Sequence, residues 1–171
     1  MKPLLIGVLI GICIPIVGGL AFVKLGGMPV ATSGGPLPFE RSLARMAIHA
    51  AIKDHEDTPS PIALSEEALV AGAKIYAADC AVCHGRPDQP ASAIAKGMFP
   101  DPPQLFDAKE MVTDDPVGEV FWKAKNGLRL TGMPGFGANR TDEQLWQVSL
   151  LLTKANTISE NVKKELSLGN P

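Results

Sequence analysis

Two thiols and an imidazole fall within the five residues CAVCH, as Cys80, Cys83 and His84. Three chemistries use such a cluster: a tetrahedral metal site, a redox-active dithiol and a covalently attached haem. Structural zinc takes about four nitrogen or sulfur ligands. Outside this run the chain offers only Cys13, His49 and His55, and no second C-x-x-C, so zinc is short of ligands. A thioredoxin-like pair sits beside a β-α-β pattern, and no segment alternates as a strand would. Cys-x-x-Cys-His as an attachment signature for c-type haem uses all three residues. The sulfurs form thioethers with the vinyl groups, and His84 is fixed beneath the iron. One haem c is therefore the expected cofactor, held by Cys80 and Cys83, with His84 as an axial iron ligand.

A haem closed on both faces needs a sixth ligand, and in electron carriers a methionine thioether opposite the histidine raises the potential. Met98 follows His84 by 14 residues within the proline-rich KGMFPDPP, and Met133 follows by 49 within NGLRLTGMPGFG. The longer separation accommodates a helix and a loop returning on the other face. Met133 is the expected ligand, and Met98 is read as apolar packing over the haem edge. A bis-histidine arrangement through His49 or His55 is set aside, because both lie on a polar-studded segment ahead of the domain.

The elements that must position these residues read as helices. Ser65 with Glu66 and Glu67 makes a helix start, and Leu69, Gly72, Ala73, Tyr76 and Cys80 share one face of the helix delivering the motif. A second helix is expected from Asp114, with Pro116 in its first turn, Val117, Val120, Phe121 and Ala124 on one face, and Asn126-Gly127 as its stop. A third opens on the capping signal Thr141 to Gln144 and buries Leu145, Val148 and Leu152.

From about residue 62 to 156 the chain resembles the class I cytochromes c. The match lies in CAVCH, in GMFPDPPQL, in WKAKNGLRLTGMPGFG with Met133 before a proline, and in the EQLW helix. The resemblance implies that the first and last domain helices cross near Gly72 and Tyr76, against Leu145 and Trp146. It also implies that a proline carbonyl of Pro100, Pro102 or Pro103 holds His84, the choice among the three staying open. The fold class expected is all-α: a class I cytochrome c fold preceded by one N-terminal transmembrane helix and an amphipathic helix.

That N-terminal part lies outside the resemblance. Between Lys2 and Lys24 about twenty residues carry no charge, enough for a helix to cross about 30 Å of hydrocarbon. The run is longer than the apolar core of a signal peptide and lacks a clean A-x-A-like site, so residues 1–23 read as a retained anchor, with residues 4–23 in lipid. Pro15 is expected to kink it. Cys13 reads as packing, and the Gly7/Gly11 spacing as chance. Residues 24–61 read as a linker holding an amphipathic helix at about 38–54. The apolar stripe of that helix, Phe39, Leu43, Met46, Ala47 and Ala50, is expected to cover the domain behind it, the alternative being a docking surface for a partner or the membrane face. Residues 62–156 are the haem domain and 157–171 a C-terminal tail.

Charge narrows the partners. The whole chain is at −2 with no basic cluster, which excludes nucleic acid as a partner. Residues 62–156 hold nine Lys or Arg against twelve Asp or Glu, so a lysine-ringed docking face is not expected. With both axial positions filled by side chains, iron has no room for substrate. The expected function is a non-enzymatic one: a membrane-anchored monohaem cytochrome c passing single electrons between redox-partner proteins, with no small-molecule substrate. The alternatives are a fixed haem subunit of a larger membrane redox complex or of a small-molecule dehydrogenase. The resemblance implies attachment machinery outside the cytoplasm, which places the haem domain on the periplasmic side of a bacterial inner membrane, on a single-pass anchor.

Overall fold

The computed structural model describes residues 2–168, and among them no strand occurs. Eight helices follow in order: α1 (Lys2–Lys24), α2 (Glu40–Ile52), α3 (Glu66–Asp79), α4 (Ala81–His84), α5 (Ala93–Lys96), α6 (Val117–Asn126), α7 (Asp142–Leu152) and α8 (Glu160–Leu168). The chain divides into two compact units, residues 1–41 and 42–171.

The first unit is dominated by α1. It carries Pro15 inside it and buries no residue. Its 23 residues are long and apolar enough to cross a membrane.

In the second unit α3 packs on α7 and α8, and α6 on α7. The crossing of α3 and α7 depends on Gly72. A Cβ there would run into the carbonyl oxygen of Gln147, lying 2.7 Å from its carbonyl carbon and 3.1 Å from the Val148 nitrogen. Only a residue without a side chain lets the backbones approach this closely. Around the crossing, Ala73, Tyr76, Leu105, Val120, Val148 and Leu151 form the core. The helix starts follow their local signals. Ser65 accepts from the Ala68 amide at 3.2 Å, and Thr141 and Gln144 close a capping box at 3.0 and 3.2 Å.

Several expectations need correction. The second domain helix begins at Val117 rather than Asp114, with Pro116 as its N-cap. The aromatic contacts, which no expectation specified, join Trp146 to Phe121, ring centroids 3.9 Å apart, and Tyr76 edge-on to Phe106 at 5.2 Å. Residues 157–171 are not a simple tail: within them α8 plants Val162 and Leu166, both 0% exposed, in the core. Arg86 clamps α8 to α3 by donating to the carbonyls of Leu166 and Ala77 at 2.8 and 3.3 Å.

The compact unit also begins earlier than residue 62. Ile52 is 2% exposed, and the carbonyls of His55, Glu56 and Thr58 converge on Gly118 so tightly that a Cβ would lie 2.7 Å from the Glu56 oxygen and 2.8 Å from that of Thr58. In α2 the expected stripe faces outward. Leu43 and Met46 are exposed, and the buried residue is Ile52.

Candidate haem site

The motif sits where α3 ends. Cys80 caps α3, its amide bonded to the Tyr76 carbonyl at 2.9 Å, and the single turn α4 hangs from it through bonds of the Cys83 and His84 amides to the Cys80 carbonyl, at 3.1 and 2.9 Å. Gly85 then turns the chain with φ +75, a left-handed value that glycine adopts freely. Its missing side chain also makes space for the buried Oε1 of Gln104.

The carbonyls ending the motif are held from several sides. Gln104 Nε2 donates to the carbonyls of Cys83 and Pro102, both at 3.0 Å. The Leu105 amide donates to the His84 carbonyl at 3.0 Å, and the Tyr76 hydroxyl is shared between the carbonyls of His84 and Gly85 at 3.0 and 2.9 Å. The imidazole is held as well: His84 Nδ1 donates to the Pro103 carbonyl at 2.9 Å. That bond settles which of the three prolines is the partner. It also fixes the tautomer, leaving Nε2 with its lone pair free for a metal. Burial pulls the imidazole below its ordinary range, and the bond to Pro103 works against that. The site therefore favours the neutral ring that iron requires.

Cys80, Cys83 and His84 line an apolar cleft of about 1110 Å³, open mouth included, and Met133 lines the same cleft. Both motif cysteines are free thiols. Burial, aided by the Asp79 carboxylate, pushes the Cys80 thiol up to about 12. The loop that presents Met133 is pinned at its base. Gly127, at φ +69, lies so close to Met133 and Pro134 that a Cβ would fall 2.6 Å from the Pro134 carbonyl carbon. Thr131 Oγ1 accepts from the Met133 amide at 3.1 Å, and the Leu128 amide donates to the Met133 carbonyl at 3.2 Å.

Met98 also reaches the cleft wall. Its Cε fills the place a Cβ on Gly132 would take, with Sδ 3.6 Å from that point. His49 and His55 are exposed and are not among the residues lining the cleft.

Other residues in and beside the cleft gave no signal in the sequence. Asp79 and Arg140, 61 residues apart, form a two-pronged ion pair at 2.7 and 3.0 Å beside Cys80. Lys123 reaches the cleft and pairs with Asp115 at 3.4 Å and with Glu119 one helical turn away.

The family model described as cytochrome C oxidase, cbb3-type, subunit III matches residues 67–150. Among curated proteins, the quinohemoprotein alcohol dehydrogenase ADH-IIG of Pseudomonas putida is 35% identical over 100 residues, 57% of this chain and 12% of that protein. The quinohemoprotein alcohol dehydrogenase ADH IIB of the same organism is 30% identical over 95 residues, 56% of this chain and 12% of that protein. The chain thus spans only a small part of the length of these relatives. No solved structure matches. The matched stretch is a class I c-type cytochrome domain, with haem c as its covalently bound cofactor.

The cleft fits that cofactor. It is apolar, and two unpaired thiols, an imidazole with its tautomer set and a thioether all line it. When bound, haem c supplies a one-electron couple. With that group bound, the cleft walls would exclude water, the bond to Pro103 would keep the Nε2 lone pair of His84 available, and the backbone bonds around Met133 would hold its loop in place.

Proposed function

We propose that this chain is a membrane-anchored monohaem cytochrome c that transfers single electrons between redox partners. In this reading Cys80 and Cys83 carry the thioether links, and His84 and Met133 are the axial ligands. Residues 1–23 are a single-pass anchor with residues 4–23 in lipid, and the haem domain stands on the periplasmic side of a bacterial inner membrane. The observation that carries the reading is the convergence of Cys80, Cys83, His84 and Met133 on one apolar cleft, with His84 Nδ1 already engaged by Pro103. Closing both axial positions with protein side chains leaves a centre suited to electron transfer and closed to substrate.

The test is made on the full-length protein in detergent. Haem should stay with the polypeptide through denaturing electrophoresis, and the reduced protein should pass its electron to an added acceptor while showing no turnover with peroxide. Loss of the haem on denaturation, or steady peroxide turnover, counts against the reading.

A second reading is a fixed subunit of a larger oxidoreductase. It is favoured by the relatives, whose names are those of dehydrogenases, and by the oxidase-subunit description of the family. Isolation from native membranes in mild detergent separates the two: a shuttle runs alone, and a subunit runs with stoichiometric partners.

A further inference from the structure

Helix α2 carries two apolar faces and covers its unit with only one of them. On the side facing its own unit, Arg45, Ile48, His49 and Ile52 border a small hollow with Glu56 and Glu119. On the other side Leu43 and Met46 are 61% and 66% exposed, and Ala47 and Ala50, which share that face by helical spacing, are exposed too. The inward side buries Ile52 and half-buries Ile48, with the exposed Arg45 and His49 at its margin, and a second apolar face is left uncovered. A soluble helix normally keeps the side opposite its core contact polar.

We infer that the outward face of α2 rests in the headgroup region of the bilayer that α1 crosses, as a second, in-plane membrane contact. The inference rests on α1 being the anchor.

The connection between the two helices supports lipid as the occupant. Residues 25–39 carry no charge, and a flexible chain of that length spans on average about 20 Å. Helix α2 is therefore held near the surface at high effective concentration, so even weak insertion suffices. Apolar exposure continues along the connection at Leu25, Met28 and Val30. Size argues against a protein partner: a stable interface needs about 800 Å² from each side, and this face offers two large side chains and alanines on a helix of 13 residues. Within the helix Arg41 and Arg45 outnumber Glu40, a balance suited to anionic headgroups.

The test uses full-length holoprotein in vesicles of phosphatidylethanolamine and phosphatidylglycerol, with Cys13→Ser as background. Leu43→Cys, on the outward face, and Arg45→Cys, on the inward one, each carry an environment-sensitive fluorophore, and lipid chains brominated near the headgroups act as quencher. The expected result is at least twofold stronger quenching at position 43 than at 45. A water-exposed, unquenched probe at 43 overturns the inference. So does a probe shielded in detergent and vesicles alike but untouched by brominated lipid, which assigns the face to a protein. Extraction of the unmodified protein with alkaline carbonate tests the anchor separately. Retention with no quenching at 43 removes only the α2 contact, whereas release removes the anchor and this inference with it.

Discussion

Replacing Gly72 with alanine tests the packing that aims the haem motif. In an isolated helix the change would stabilise, since alanine is favoured over glycine by about 1 kcal/mol. Here the new Cβ would lie 2.7 Å from the Gln147 carbonyl carbon, where ordinary contact begins near 3.4 Å. Its neighbours are backbone atoms in the middle of α7, so no side chain can rotate away. The helices must separate by several tenths of an ångström, which loosens contacts around Ala73, Tyr76 and Val148. Overpacking of this kind costs about 1–3 kcal/mol, occasionally more, and the rigid neighbours place Gly72 at or above the top of that range. After the helix gain is subtracted, a net loss of about 2 kcal/mol remains. For a domain of this size that lowers the melting temperature by about 5–10 °C. Far-ultraviolet circular dichroism of the ferric holoprotein measures it. Gly97→Ala is the control, because its Cβ meets nothing closer than 3.6 Å. A Gly72→Ala protein that melts at or above the parent temperature refutes the close-crossing argument.

Tyr76→Phe removes the hydroxyl shared by the His84 and Gly85 carbonyls and should cost about 1–2 kcal/mol in guanidinium unfolding; an unchanged midpoint shows that the bond contributes nothing net. Arg86→Ala frees the carbonyls of Leu166 and Ala77 and should speed amide exchange in α8 more than in α7, and equal exchange in the two helices contradicts the clamp. A fragment beginning at Ile62 loses the burial of Ile52, worth about 1.5–3 kcal/mol, together with the carbonyls packed on Gly118. It should melt several degrees below one beginning at Ser42, and equal melting would restore residue 62 as the boundary.

What was legible in the sequence was mostly local. Ser65, Thr141 with Gln144, and Gly127 marked helix ends because a cap is decided within a few residues. CAVCH named its chemistry because the two thiols and the imidazole are neighbours along the chain. What was not legible depends on the path of the chain. Pro100, Pro102 and Pro103 are indistinguishable until the loop is folded and one carbonyl meets His84. Asp79 and Arg140 carry no mark of their pairing across 61 residues. The periodicity of α2 shows which residues share a face but not which face turns to the core, and the stripe with Leu43 and Met46 points out while Ile52 turns in. In α8, Val162 and Leu166 sit four apart in a stretch crowded with Glu and Lys, and the charge hid a spacing that would otherwise have predicted a packed helix.

The ligation of the iron by His84 and Met133 is the claim on which the electron-transfer reading turns. The ferric absorption spectrum of the holoprotein, taken beside Met133→Ala and Met98→Ala, tests it most directly. The methionine-to-iron charge-transfer band implied by the resemblance should be present in the parent and in Met98→Ala, and absent from Met133→Ala, whose reduced form should then bind carbon monoxide. A band that survives Met133→Ala and disappears in Met98→Ala would contradict the account.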